Sequence, residues 1–130
     1  MYSMDKWDGY EVARQQLFHT LRVGKVLNPI ILSGDNHRHS AADINMQPGD
    51  PDTPVLASEF IGGSITSRGD GFSMTQYGQR ILNLNPHFKY FCDQRGYMRC
   101  IITAKKWQTD YRIMDYVERA GSPIETRVSY

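Results

Sequence analysis

Apolar residues near the start of the chain recur at helical spacing. Ala13, Leu17 and Leu21 fall four positions apart, with Val12 and Phe18 beside them. The spacing predicts an amphipathic helix over residues 9–23. Asp8 is its expected N-cap, Glu11 completes a capping box, and Gly24 stops it. Residues 28–35 (Asn-Pro-Ile-Ile-Leu-Ser-Gly-Asp) form a short apolar run closed by Gly-Asp. That pattern predicts a buried strand with a polar turn at its carboxyl end. A helix feeding such a strand is the second half of an α/β unit.

Beyond this unit, residues 43–54 are rich in Asp, Pro, Gly and Asn and read as a surface loop. A second strand is expected over 55–61, a Gly- and Ser-rich loop over 62–72, and a short helix over 74–82. Residues 87–91 look extended. Asp93-Gln94-Arg95-Gly96 then reads as a turn, with 97–103 as the partner strand. Residues 107–117 alternate apolar and polar positions, as a half-buried antiparallel strand does. The residues after Gly121-Ser122-Pro123 read as a fraying tail. The fold class is therefore mixed α/β, α+β-like: a partial two-layer β core with flanking helices and C-terminal antiparallel hairpins.

Size and composition narrow the function classes. A chain of 130 residues fits one domain and is small for an enzyme needing several metal ligands. Apolar content of 40% and aromatic content of 12% indicate a folded core. The net charge of +1 supplies no field to recruit nucleic acid or an acidic membrane surface. No apolar run approaches the roughly 18 residues needed to span a bilayer. No apolar h-region follows the first six residues, so they are not a signal peptide. Either the chain is cytosolic or its N-terminus is not the natural one. Cys92 and Cys100 match no common zinc spacing; they face each other across a hairpin or lie apart.

The densest set of potential ligands is Gly34-Asp35-Asn36-His37-Arg38-His39, just past the first strand. Sites in α/β folds lie outside the carboxyl ends of strands. In an extended segment, residues two apart share a side, so Asp35, His37 and His39 would converge on one face. A carboxylate and an imidazole suit iron, zinc or manganese. Arg38 would point elsewhere or swing in to meet a phosphate bidentately. The same polar cluster also reads as a solvated turn chosen for backbone hydrogen bonding. His19 and His87 are expected to be structural or surface residues. Arg68-Gly69-Asp70 reads as turn chemistry. Ser64, Thr66 and Ser67 have no paired base and read as loop hydrogen-bonders.

Four segments in collinear order resemble the PhoD-like phosphatases of the alkaline phosphatase D family. Trp7-Asp8-Gly9-Tyr10 precedes the helix. Asn28 to His37 resembles the family's segment ending in Gly-Asp-x-His. Residues 58–67 resemble its Glu-Phe-x-Gly-x-Ser-Ile-Thr-Ser segment, and residues 85–89 with 94–97 its terminal hairpin region. The resemblance implies a calcineurin-like metallophosphoesterase fold and hydrolysis of phosphomonoesters and phosphodiesters. It also implies divalent or trivalent metal ions, iron and calcium for the type. Asp35 and His37 then stand where metal-binding catalytic residues are expected, whereas a ligand role for His39 rests on spacing alone. Arg38 or Arg95 is available to contact a substrate phosphate, although Arg95 is the more readily explained by hairpin geometry.

The family's upstream metal-binding motifs, including an Asp-Asp-His-Glu type, are absent from this sequence. Residues 1–130 are therefore expected to be the C-terminal portion of a phosphatase domain. Its expected partners are a phosphate ester and either a missing N-terminal part or a second copy, with neither nucleic acid nor membrane. Two other readings stand beside this one: a non-catalytic remnant or oligomerising module of the same fold, and a phosphate- or nucleic-acid-binding module using the Asp35 to His39 loop.

Overall fold

The computed structural model describes residues 4–47, 50 and 52–130. Its regular elements are α1 (Glu11–Val23), β1 (Ile30–Ser33), β2 (His39–Asn45), β3 (Val55–Ile61), α2 (Gln76–Leu84), β4 (Phe88–Cys92), β5 (Arg95–Ile102), β6 (Trp107–Met114) and β7 (Ile124–Ser129). The strands form a four-stranded sheet ordered β1-β3-β2-β4 and a three-stranded sheet ordered β5-β6-β7. β1 runs parallel to β3, and every other pairing is antiparallel. The mixed fold with two packed β layers and two helices agrees with the expected class.

The core lies between the sheets. Ala41, Phe60 and Cys92 of the first sheet meet Tyr111 and Ile113 of the second, and both of the latter are fully buried. Tyr111 Oη donates to the backbone carbonyl of Ser40 at 2.5 Å, so the largest core side chain also ties the layers together. This bond satisfies a hydroxyl that would otherwise be costly to bury. On the other side of the first sheet, α2 approaches β4 so closely that a Cβ on Gly78 would lie 2.2 Å from Phe91 Cδ1. Thr75 caps α2, its hydroxyl accepting from Gly78 N at 2.9 Å.

Several expectations are corrected. Asp8 does not cap α1: it sits in a short 3-10 turn, Trp7–Gly9, and faces Arg14 at 3.4 Å, while the cap position falls to Tyr10 without a side-chain bond. Gly24 stays right-handed, and the left-handed residue is Lys25. Of the helix's apolar stripe only Phe18 is buried, and Val12 is 73% exposed. β1 is an edge strand rather than a buried one, and its Leu32 is 52% exposed.

His39, read as a ligand, and residues 43–45, read as the start of a loop, both belong to β2, the strand between β3 and β4. Residues 48, 49 and 51 of the expected loop lie outside the described residues. Residues 93–96 do not close a hairpin. β4 pairs with β2 and β5 with β6, so this segment crosses from one sheet to the other. Cys92 and Cys100 are both free.

The expected tail is β7. Its Val128 packs on the core, and Tyr130 exchanges backbone hydrogen bonds of 2.9 and 3.0 Å with Thr109. Truncation after Gly121 is expected to strip β6 of one partner and expose the Tyr111 layer, abolishing the cooperative thermal transition. A truncated chain that melts within a few degrees of the full one would show that β7 contributes little.

Candidate functional site

The site is built at the carboxyl end of β1. After Ser33 the chain turns through Gly34-Asp35-Asn36-His37-Arg38 and enters β2 at His39. The bend is tight: Asn36 N donates to Gly34 O at 2.7 Å, and both Asp35 (φ 62°) and His37 (φ 57°) adopt left-handed backbone. Non-glycine residues rarely take that conformation, and such outliers cluster at functional sites. Alternation of side chains holds only for extended backbone, so the expected convergence of Asp35, His37 and His39 does not occur. Asp35 and His37 are exposed on the turn, whereas His39 is fully buried.

His39 belongs to the interior. Its ring stands edge-on to Tyr111 with centroids 5.7 Å apart, and its Nδ1 accepts from Gly63 N at 2.9 Å. Accepting at Nδ1 places the ring proton on Nε2 in the neutral form. Nε2 is buried without a partner. Burial first, and the Arg95 charge second, hold the imidazole pKa down to about 4.

Arg95 is also turned inward. It is 4% exposed, and Nε donates to Gly69 O at 2.9 Å. Nη1 donates to His37 O and to Ser64 Oγ, each at 3.3 Å. A phosphate meets these donors only by displacing oxygens of the fold itself. Arg38 is the accessible guanidinium. It lies 5.0 Å from the Tyr77 ring centroid, with Asp93 3.6 Å away and Asn36 Oδ1 at 3.5 Å. Lys6 Nζ approaches the same Asn36 oxygen at 3.4 Å.

Glu59 carried no sequence-based role, and Asp70 was read only as turn chemistry. Glu59, beside β1 on β3, accepts from Ser33 Oγ at 2.9 Å; burial pushes its carboxyl pKa up, against the pull of that bond. A lone carboxylate inside a mainly apolar strand was the available signal. Asp70 accepts from the backbone N–H of Val117 (2.6 Å) and Glu118 (2.9 Å), and these bonds hold its pKa down. It thereby anchors the Gly-rich loop to the connection between β6 and β7.

Among the described residues, no three His, Cys, Asp or Glu side chains are grouped to hold a metal ion. Asp35 and His37 together offer one hard oxygen and one imidazole nitrogen, a donor set that fits part of a coordination shell.

Comparison with known proteins gives this turn its context. Residues 1–111 match the PhoD-like phosphatase family model. The chain is 37% identical over 130 residues to alkaline phosphatase D of Bacillus subtilis (strain 168), covering all of this chain and 22% of that protein. It is 38% identical to a solved structure of PhoD, with a TM-score of 0.94 over 98% of this chain and 24% of the other. The chain thus spans about a quarter of the length of the relatives it matches. Its sequence and fold agree on one assignment: the chain belongs to the PhoD-like phosphatase family.

Proposed function

We propose that this chain contributes part of the active site of a metal-dependent hydrolase of phosphomonoesters and phosphodiesters, with Asp35 and His37 as metal ligands. The observation that supports this reading best is the left-handed turn at the end of β1, which presents a carboxylate and an imidazole to solvent. Iron and calcium are the ions the family resemblance suggests. A bound ion lowers the pKa of coordinated water and polarises phosphoryl oxygens.

The chain's own residues have separate tasks. Asp35 supplies a charged oxygen and His37 a neutral nitrogen. Arg38, stacked over Tyr77, offers its guanidinium to a phosphate oxygen. Catalytic sites use about three protein ligands per ion, so the remaining donors come from a companion segment or a second copy.

The test pairs binding with turnover. Iron, calcium or manganese is titrated into the purified chain while the His37 imidazole is followed by NMR, and hydrolysis of bis(p-nitrophenyl) phosphate is measured in parallel. The expected result is metal-dependent perturbation of His37 that disappears in Asp35→Ala, with any turnover lost in the Asp35→Ala, His37→Ala double variant. Turnover that survives the double substitution, or a His37 resonance indifferent to all three metals, sinks the reading.

A further inference from the structure

The turn that carries Asp35 and His37 does not hold its own shape. Both residues sit in left-handed backbone, and the only bond within residues 34–38 made by main chain alone is Asn36 N to Gly34 O. The neighbouring loop fastens the rest. Gly62 N donates to Ser33 O at 2.9 Å, immediately before the turn. Gly63 N donates to His39 Nδ1 at 2.9 Å, immediately after it. Gly63 has no room for a side chain, because a Cβ there would lie 2.6 Å from His39 Nε2.

Arg95 closes the arrangement from the start of β5. One guanidinium reaches His37 O in the turn, Ser64 Oγ at the head of the loop, and Gly69 O further along it. The backbone of the next residue joins in, since Gly96 N donates to Ser64 O at 3.0 Å. Among the described residues no carboxylate lies within ion-pair distance of Arg95. Its buried charge is therefore matched by carbonyl and hydroxyl dipoles. A planar fork with five donors can address three acceptors in fixed directions; the ammonium of lysine is a point charge on a flexible stem.

From this geometry we infer that Arg95, seconded by His39, is a positioning residue: it clamps the His37 backbone to the Ser64–Gly69 loop and so fixes the direction in which Asp35 and His37 present their donors. The inference rests on the ligand roles proposed above. It gives Arg95 no contact with substrate. Groups that orient metal ligands without touching the ion commonly change metal affinity about 10- to 100-fold when altered.

Three variants test it: Arg95→Lys, which keeps the charge but not the fork; His39→Asn, whose amide oxygen can still accept from Gly63; and Ile113→Val, a core change that removes none of the clamp's hydrogen-bonding groups. Each is melted to compare stability, and Mn2+ is titrated while paramagnetic broadening at His37 is followed. Backbone 13Cα shifts of Asp35 and His37 report the left-handed conformation without metal. Arg95→Lys is expected to weaken Mn2+ binding about tenfold or more and to shift both 13Cα resonances. His39→Asn should stay within about threefold of the parent, and Ile113→Val should leave affinity unchanged despite its lower melting temperature. Affinity and 13Cα shifts in Arg95→Lys equal to those of Ile113→Val would overturn the clamp. If the parent chain shows no Mn2+ broadening, the ligand reading fails, and the 13Cα shifts alone decide whether Arg95 holds the turn.

Discussion

Gly96→Ala is expected to destabilise the fold by about 3 kcal/mol or more, a large share of the roughly 5–15 kcal/mol that holds a domain folded. Gly96 pairs with Ile113 across the β5–β6 ladder. A Cβ at position 96 would lie 2.0 Å from Arg112 O and 3.1 Å from Ile113 Cα, all backbone atoms of the adjacent strand. Neither strand can retreat freely, because β6 carries the fully buried Tyr111 and Ile113 and is held by β7 on its other side. Moving β5 instead would drag Arg95 and the Gly96 N–H away from Ser64. Gly62→Ala is the matched control: its nearest neighbour is Met98 Cε at 3.3 Å, the end of a flexible thioether side chain, so its effect should stay within about 1 kcal/mol. Urea denaturation of both variants checks the contrast. Equal midpoints would mean that the backbone contact at Gly96 relaxes as easily as a methionine tip.

How much of this was legible in the sequence depends on which force shaped each segment. β3 could be read as a short, mainly apolar run between loops, and β6 because apolar and polar residues alternate there. α2 was read two residues early, over 74–82 against Gln76–Leu84, without its Thr75 cap. β2 was invisible for a physical reason. As an interior strand of the sheet it buries His39, Ser40, Ala41 and Ala42, small or polar residues that fit between close-packed layers. Hydropathy does not mark such a strand. β7 did alternate, Ile124, Thr126 and Val128 against Glu125, Arg127 and Ser129, but the preceding Gly-Ser-Pro resembled the beginning of a tail.

The site shows the same division. The polar run after β1 is local and was found from the sequence. The inward turn of His39, and the bonds from Arg95 to residues 26, 31 and 58 positions away, are set by tertiary packing that no spacing rule contains.

Acidification from neutral pH to about 4 is expected to remove roughly 3 kcal/mol of stability through His39 alone. The imidazole is fully buried, and its folded pKa is held down to about 4 against an ordinary value of 6.5. The folded state thus binds fewer protons than the unfolded chain between these values, and stability rises with pH across that window. Above 6.5 the ring is neutral in both states and the effect is absent; below 4 it is charged in both and the loss is complete. Asp70, Asp110 and Asp115 add a separate, lower step. Hydrogen bonds depress the folded pKa of each, so the stability they contribute is present above the ordinary carboxylate range and is lost as pH falls through and below it. The two steps separate experimentally. Urea midpoints measured from pH 7.5 down to 4 should fall in the parent chain. They should fall much less in His39→Asn, which retains an acceptor for Gly63 N and leaves His87, whose pKa burial also holds down, to act in that window, while both proteins fail together under more acid conditions. A parent midpoint independent of pH between 6.5 and 4.5 would mean that His39 takes up its proton in place, which requires a path for water to a ring now sealed between the sheets.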